Sequence, residues 1–432
     1  MNRTVALATL GCKTNQFESA ALEEKLRNAG YRVVLFEEGA DLVVVNTCTV
    51  TAATDAQSRN LVRRARRLNA SCRVVVTGCY AQVNPEDLKS IPGVSLVLGN
   101  EEKSDFLRLI EEGGEATDGI HVSDIRQARR AEPLPVSVFS ERSRAFLQIQ
   151  NGCDAFCAYC LIPYARGPSR SVSPEEVRRQ VERLTGAGYP EIVLTGIHIG
   201  GYGADLDPAS SLLDLVGFIE SETAVRRLRL GSLEPTEIPL ELVEAVAGSQ
   251  ILCSHFHIPL QAGDDAVLKR MNRHYDTAFF RTLVEGIHGR IPEAAIGLDV
   301  ITGFPGETEE EFENTFRLIE GLPVSHLHIF PFSRRPGTPA ATMTGQLPGD
   351  VIRKRAARLR ALGERKNRAF ASAFVGRTLE VVVEGGKAGE VRRGLSRNYL
   401  SVLFPGGDVL EGRLAKVEVT GWTPEGLKGR LL

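Results

Sequence analysis

Three short apolar runs near the start of the chain each end on a cysteine. Thr4 to Leu10 leads to Gly11-Cys12, Leu42-Val-Val-Val-Asn46 to Thr47-Cys48, and Arg73-Val-Val-Val-Thr77 to Gly78-Cys79. Helical patterns separate the runs, from Glu18 to Ala29 before Gly30 and from about Thr54 to Leu68. Short, wholly apolar strands alternating with helices specify a parallel sheet, since only a sheet covered on both faces buries such strands. The carboxyl ends of its strands share one edge, where ligands bind. Cys12, Cys48 and Cys79 are therefore expected to converge there as a three-cysteine site.

A second set lies in one loop, Asn151-Gly-Cys-Asp-Ala-Phe-Cys-Ala-Tyr-Cys160. Three thiolates so close, Cys153, Cys157 and Cys160, are suited to iron or another soft metal. Structural zinc would want a fourth ligand and two residues between paired cysteines, where this loop first has three. From about Arg144 strands and helices alternate again. The strands expected are Ala145 to Ile149, Glu191 to Thr195, Val225 to Gly231, His255 to Ile258, Ala295 to Thr302 and Ser325 to Phe330. Six such units read as a partial βα barrel whose active-site loops follow its strands. Residues 376 to 432 change to short alternating stretches between glycine-rich turns, a pattern for a small antiparallel barrel. The fold class is thus α/β with three parts: an open parallel domain over 1–125, a partial (β/α)6 barrel over 140–370, and a small β-barrel over 371–432. Linkers are expected at about 118 to 143 and 334 to 350.

Eight cysteines in 432 residues are too few for a disulfide scaffold. Cys72 opens its strand and Cys253 sits in an apolar run, so both are expected as core thiols. Neither a signal-peptide pattern nor a bilayer-length apolar stretch occurs, which predicts a cytoplasmic protein without membrane contact. The net charge of -2 says little about nucleic acid. Local distribution says more: Arg59, Arg63, Arg64, Arg66 and Arg67 punctuate one helix, and Arg353, Lys354, Arg355, Arg358, Arg360, Arg365, Lys366 and Arg368 another. Either is a candidate to track a phosphate backbone, or an ordinary solvated face. His255 and His257 point the same way on a strand, but no third ligand at matching spacing accompanies them, so hydrogen bonding to substrate is preferred to metal. Gly303-Phe-Pro-Gly306 lacks the lysine of a phosphate loop.

With both cysteine sets and the C-terminal pattern in place, the chain resembles the radical S-adenosylmethionine methylthiotransferases over nearly its whole length. The detailed match is to the MtaB-type branch, on Thr9-Leu-Gly-Cys-Lys-Thr-Asn-Gln-Phe-Glu-Ser19, Val45-Asn-Thr-Cys-Thr-Val-Thr51 and Cys160-Leu-Ile-Pro-Tyr-Ala-Arg-Gly-Pro-Ser-Arg-Ser171. That resemblance implies two [4Fe-4S] clusters and S-adenosyl-L-methionine, with Cys153, Cys157 and Cys160 holding the radical-generating cluster and Cys12, Cys48 and Cys79 an auxiliary one. It implies a transfer RNA whose N6-threonylcarbamoyladenosine gains a methylthio group, an electron donor such as flavodoxin or ferredoxin, and a sulfur source. It also implies that the C-terminal part is a TRAM-like RNA-binding barrel, with Arg377, Lys387, Arg392, Arg393, Arg397 and Lys416 as candidates for RNA.

Other residues follow from the same resemblance. Thr195 and Gly196 stand where the methionyl portion is contacted. Ser232 and Glu234 are candidates for ribose or the amine. Gly297, Ile301, Gly303 and Glu307 resemble a late-strand motif near the adenine, with the glycines permitting close approach. Phe156 and Tyr159 are expected to shield the cluster and pack the adenine. Lys13, Arg166 and Arg170 are candidate partners for a substrate carboxylate, and the two arginines also for cofactor or phosphate. The sister branches, acting on isopentenyladenosine or a ribosomal-protein aspartate, stay open, as do a one-cluster methyltransferase and a non-catalytic iron–sulfur RNA-binding protein.

Overall fold

The computed structural model describes residues 3–111, 119–131, 134–139, 143–385 and 391–432. Lys387 lies outside them. The first part is a six-stranded, all-parallel sheet. In spatial order its strands are Arg32–Val33, Thr4–Thr9, Leu42–Thr47, Arg73–Gly78, Val94–Leu98 and Gly119–His121. The order reverses between Thr4–Thr9 and Leu42–Thr47, and crevices beyond the strand ends at such a reversal are where open α/β sheets bind ligands. Cys12 and Cys48 leave those two strands. Val43, Val44, Val45, Val74, Val75 and Val76 are all buried, which is why these strands read as unbroken apolar runs. The stretch expected as a linker is partly structured: Gly119–His121 is the sixth strand, and Leu134, Val136 and Phe139 pack into the core of the next part.

That part holds two parallel three-stranded ladders. One comprises Ala145–Gln148, Glu191–Thr195 and Arg227–Leu230, the other His255–Gln261, Ala295–Thr302 and His326–Pro331. Bridges Leu228 to Leu252 and Ser232 to His257 join them into a six-stranded partial barrel. Its first and last strands do not pair among the described residues, and the N-terminal domain fills the gap. Phe17 and Ala21, on helix Lys13–Asn28, share a core with Ala145 and Phe146 of the first strand. At the other lip, Ala52 N donates to Ser333 Oγ (3.0 Å), and Arg335 donates to Thr49 Oγ1 (2.7 Å) and Asp55 Oδ2 (2.5 Å).

The C-terminal part is a closed five-stranded barrel in the order Thr378–Glu384, Val391–Ser396, Ser401–Pro405, Gly426–Leu431 and Leu414–Thr423. It departs from the expected antiparallel pattern at one seam, because Ser401–Pro405 and Gly426–Leu431 run parallel. This barrel stoppers the foot of the central one. Tyr399 stacks on His255 with centroids 4.5 Å apart, and Arg229 donates to the carbonyls of Ser396 and Arg397.

At the same foot the buried Glu191 carboxylate meets Arg229 (2.7 Å), Arg227 (2.9 Å) and Arg144 (3.5 Å). Burial opposes its ionisation, yet the guanidiniums hold its pKa down at about 2, against an ordinary 4.5. A carboxyl depressed on folding contributes stability that is whole above its unfolded value and is lost as the pH falls through the folded one. The unfolding temperature should therefore hold down to about pH 5 and fall between about 4.5 and 2. Glu191→Gln should remove part of that slope, and an unaltered slope would assign the acid lability elsewhere.

Candidate active site

The two cysteine sets lie on elements that touch: Arg166, on the helix after Cys160, reaches Cys79. Cys12 is exposed at the start of helix Lys13–Asn28, while Cys48 and Cys79 are buried behind the strand ends. Gly11 (φ +102°) lies against Cys48: a Cβ there would stand 2.9 Å from Cys48 Sγ. Burial, and then the neighbouring Cys79, push the Cys48 thiol up to about 12, with Cys12 adding to the effect. Three thiolates so placed repel one another and need a cation among them, and a soft-metal centre supplies it.

The second set is shaped by its loop. Gly152 has φ +78°, and its Cα lies so close to Pro168 that a Cβ would fall 1.8 Å from the carbonyl oxygen. Backbone N–H groups of Ala155 and Ile162 point at Cys153 Sγ (3.5 Å) and Cys160 Sγ (3.4 Å). Arg273 Nη1 donates to Cys157 Sγ (3.4 Å) while its guanidinium pairs with Glu234. Three sulfurs already receiving donors, on a loop leaving one side open, fit a cluster with one iron free for a further ligand. Burial pushes the Cys160 thiol up to about 12, the same requirement for metal charge met above.

A cavity of about 200 Å³ opens on Cys160 and on the residues that follow Cys48. Thr49, Val50 and Thr51, directly after Cys48, form one wall; Tyr159, Cys160, Leu161 and Ile162 another; and Gln261, Asp299, Ile301 and Phe330 the floor. Ile162–Arg166, the helix following Cys160, carries the link further. Arg166, with no exposure, donates from Nε to Cys79 Sγ (3.2 Å), from Nη2 to Asn15 Oδ1 (2.5 Å), and pairs with Glu18, which also holds Lys103.

Several expected roles fall to other groups. Arg166 is spent on Glu18 and Cys79, and buried Arg170 on Glu101 and the carbonyls of Arg130, Arg166 and Pro168, so neither offers its charge to solvent phosphate. Glu234 holds Arg273. Glu307 accepts from Gly303 N and Arg355 as a structural tie. The glycines lie close to protein side chains: a Cβ on Gly297 would strike His326 (2.0 Å), on Gly303 Ile352 (2.5 Å), and on Gly196 Ile199 (2.7 Å). Thr195 is buried at the end of its strand, and Ser232 is exposed at the bridge to His257. Tyr159 and Ile301 line the cavity. Phe156 does not: it is 51% exposed, edge-on to Tyr164. Cys72 and Cys253 are buried core thiols.

The basic helices are neutralised in part. Arg64 pairs with Glu37, and Arg59 donates to Tyr80. On helix Gly349–Ser372, Arg355, Arg358 and Arg365 face Glu307, Glu309, Glu313 and Glu320. In the C-terminal barrel Arg392 is buried, Arg397 donates to the Gln250 and Leu252 carbonyls, and Arg377 sits 3.6 Å from Glu293. Arg393 and Lys416 are exposed.

The histidines do acquire partners that linear spacing hides. His257 Nε2 lies 2.8 Å and His328 Nδ1 3.3 Å from Asp299 Oδ1, closing a trio by hydrogen bonds inside the barrel. Sequence reasoning also missed Arg273 and Gln150. The buried Gln150 amide ties Gly152 O and Ser169 Oγ to the N–H groups of Ile197 and His198. Neither position carried a periodic or metal-ligand signal.

The family described as Radical SAM superfamily matches residues 147–319, and Uncharacterized protein family UPF0004 matches 4–99. The threonylcarbamoyladenosine tRNA methylthiotransferase MtaB of Bacillus subtilis is 43% identical over 96% of this chain and 93% of its own length. The chain belongs to the radical S-adenosylmethionine methylthiotransferases. A second MtaB, from Aquifex aeolicus, is 37% identical over 92% of this methylthiotransferase and 96% of its own length. A tRNA-2-methylthio-N(6)-dimethylallyladenosine synthase of Desulfitobacterium hafniense is 33% identical over 98% and 96%. Among solved structures, the radical S-adenosylmethionine methyltransferase TsrM from Kitasatospora setae superposes with a TM-score of 0.57 over 79% of this chain and 77% of that one, at 18% identity, a likeness of fold. Radical S-adenosylmethionine chemistry brings one [4Fe-4S] cluster and S-adenosylmethionine to this methylthiotransferase. No described helix is long and apolar enough to cross a membrane.

Proposed function

We propose that this methylthiotransferase acts on transfer RNA, converting N6-threonylcarbamoyladenosine to its 2-methylthio derivative with two [4Fe-4S] clusters. The observation carrying the two-cluster reading is the cavity, which has the residues after Cys48 on one wall and Cys160 on another. Cys153, Cys157 and Cys160 would hold one cluster and Cys12, Cys48 and Cys79 the other. Bound there, the first with S-adenosylmethionine would supply a carbon radical able to take hydrogen from an unactivated C–H bond, and the second would supply the sulfur, whose methyl group would come from a second molecule of S-adenosylmethionine.

The protein's own groups do the positioning. Arg273 donates to Cys157 Sγ and Arg166 to Cys79 Sγ, and each contact holds its cysteine's rotamer. Apolar Leu161, Ile162, Ile301 and Phe330 exclude water from the space between the sets, so that a reactive species meets substrate before solvent. The N-terminal domain closes the barrel's open side and completes that shelter. Exposed Arg393 and Lys416 support RNA contact by the C-terminal barrel, and a transfer-RNA substrate places the work in the cytoplasm. Electrons come from a donor such as flavodoxin or ferredoxin, with sulfur from a separate source. Threonylcarbamoyl rather than isopentenyl is supported by the two MtaB relatives.

Mass spectrometry of nucleosides decides the matter, after the reconstituted protein is incubated with transfer RNAs carrying each N6 group. Methylthiolation confined to the threonylcarbamoyl substrate is expected. Selective conversion of the isopentenyl substrate would overturn the reading.

A further inference from the structure

The central barrel's lumen contains a cation with nothing to hold. Lys13, the residue after Cys12, opens the helix that lies along the first barrel strand. Its side chain is half-buried among Arg229, Arg144, Glu191 and Asp299, and near His255 and His326. The two arginines are spent, Arg229 on Glu191 and the C-terminal barrel's carbonyls, Arg144 on Glu191 and Glu384. Among the described residues the Lys13 ammonium has neither a hydrogen bond nor an ion pair. The buried Nε2 of His326 and both ring nitrogens of His255 are likewise unpartnered. Asp299 lies on the same side of the lumen and also on the cavity floor beneath Cys160, so the space between the cysteine sets leads toward these groups.

Polar groups are left unpaired in a protein interior at a cost, and their concentration here marks a polar ligand. We infer that Lys13 is the specificity-determining residue for the substrate's N6 group, taking its carboxylate. This rests on the threonylcarbamoyl reading above and adds the residue that enforces it. An N6 group with a carboxylate satisfies the stranded ammonium. An apolar one of similar length leaves it unpaired in the closed complex, and sites built to pair a polar group reject analogues that lack it.

The test uses full-length, iron-reconstituted protein and anticodon stem-loops bearing threonylcarbamoyladenosine or its methyl ester. Both kcat/KM and, without S-adenosylmethionine, stem-loop Kd are measured. Wild type should prefer the acid to the ester by about 10- to 100-fold. Lys13→Gln should bring the acid down to the ester's level and leave the ester unchanged, while Lys13→Arg should keep part of the preference. Equal handling of acid and ester by wild type would overturn the inference without any variant, as would a Lys13→Gln protein that keeps its preference or loses both substrates alike. Wild type that converts isopentenyl but not threonylcarbamoyl stem-loops would sink the functional reading as well, whereas conversion of the acid with no effect of Lys13 sinks this inference alone.

Discussion

Arg166→Met should destabilise the protein by about 3–5 kcal/mol, the cost of removing one member of a buried ion pair. Arg166 and Lys103 both neutralise Glu18, and all three are buried. Burial raises the Glu18 carboxyl, but the two cations outweigh it and bring it to about 2. With the guanidinium gone, Glu18 keeps only Lys103, and Asn15 Oδ1 and Cys79 Sγ lose a donor. Because the same side chain ties the helix after Cys160 to the N-terminal domain, the loss falls on the contact between two parts. Chemical denaturation of iron-free protein reads the change, and a loss below about 1 kcal/mol would show that Glu18 is adequately held by Lys103 alone.

Gly152→Ala should empty the central cysteine set and abolish reductive cleavage of S-adenosylmethionine. The added Cβ would lie 1.8 Å from the Pro168 carbonyl oxygen, and φ is +78°. Neither the backbone oxygen nor the strained dihedral yields cheaply, so the loop carrying Cys153 must move. Cys153 N donates to Gly167 O (3.0 Å), and that pairing is the first to go. On the two-cluster proposal, iron per chain should fall from about eight to about four, with the remainder on the N-terminal cysteines. A variant that keeps its full iron and cleaves the cofactor at more than a tenth of the normal rate would refute the assignment of this turn as the loop's anchor.

The cysteines were legible because parallel strands advertise themselves as apolar runs and because a residue following each run is carried to a common edge. The barrel strands were legible from apolar runs such as Glu191–Thr195 and from alternating ones such as Arg227–Leu230 and His255–Gln261. Val391–Ser396 and Gly426–Leu431 were not: Gly394 and Gly429 interrupt the alternation of apolar residues, yet each lies within a strand where a Cβ would meet Val381 or Val417 at 2.4 Å. Arg166 shows the limit for charge. Read linearly, it is an arginine near a cysteine loop and a candidate for phosphate; its actual partners lie 87 to 151 positions away, and nothing local marks a cation destined for burial. The basic stretch on helix Gly349–Ser372 misleads in the opposite sense, because acids that pair with Arg355, Arg358 and Arg365 lie on a different helix, Glu309–Gly321. Lys13 stands between these cases, since its place beside Cys12 was plain but its entry into the barrel depended on how two domains dock.

The helix Ile162–Arg166 begins just after one cysteine set and ends on a side chain touching the other. The spacing between the two sets is thereby gauged by a single turn of backbone. Adding or deleting one residue there would swing the guanidinium by about 100° around the helix axis, away from Cys79. Many positions in the segment can change identity, but its length acts as a fixed unit of measure for the separation of the two cysteine sets.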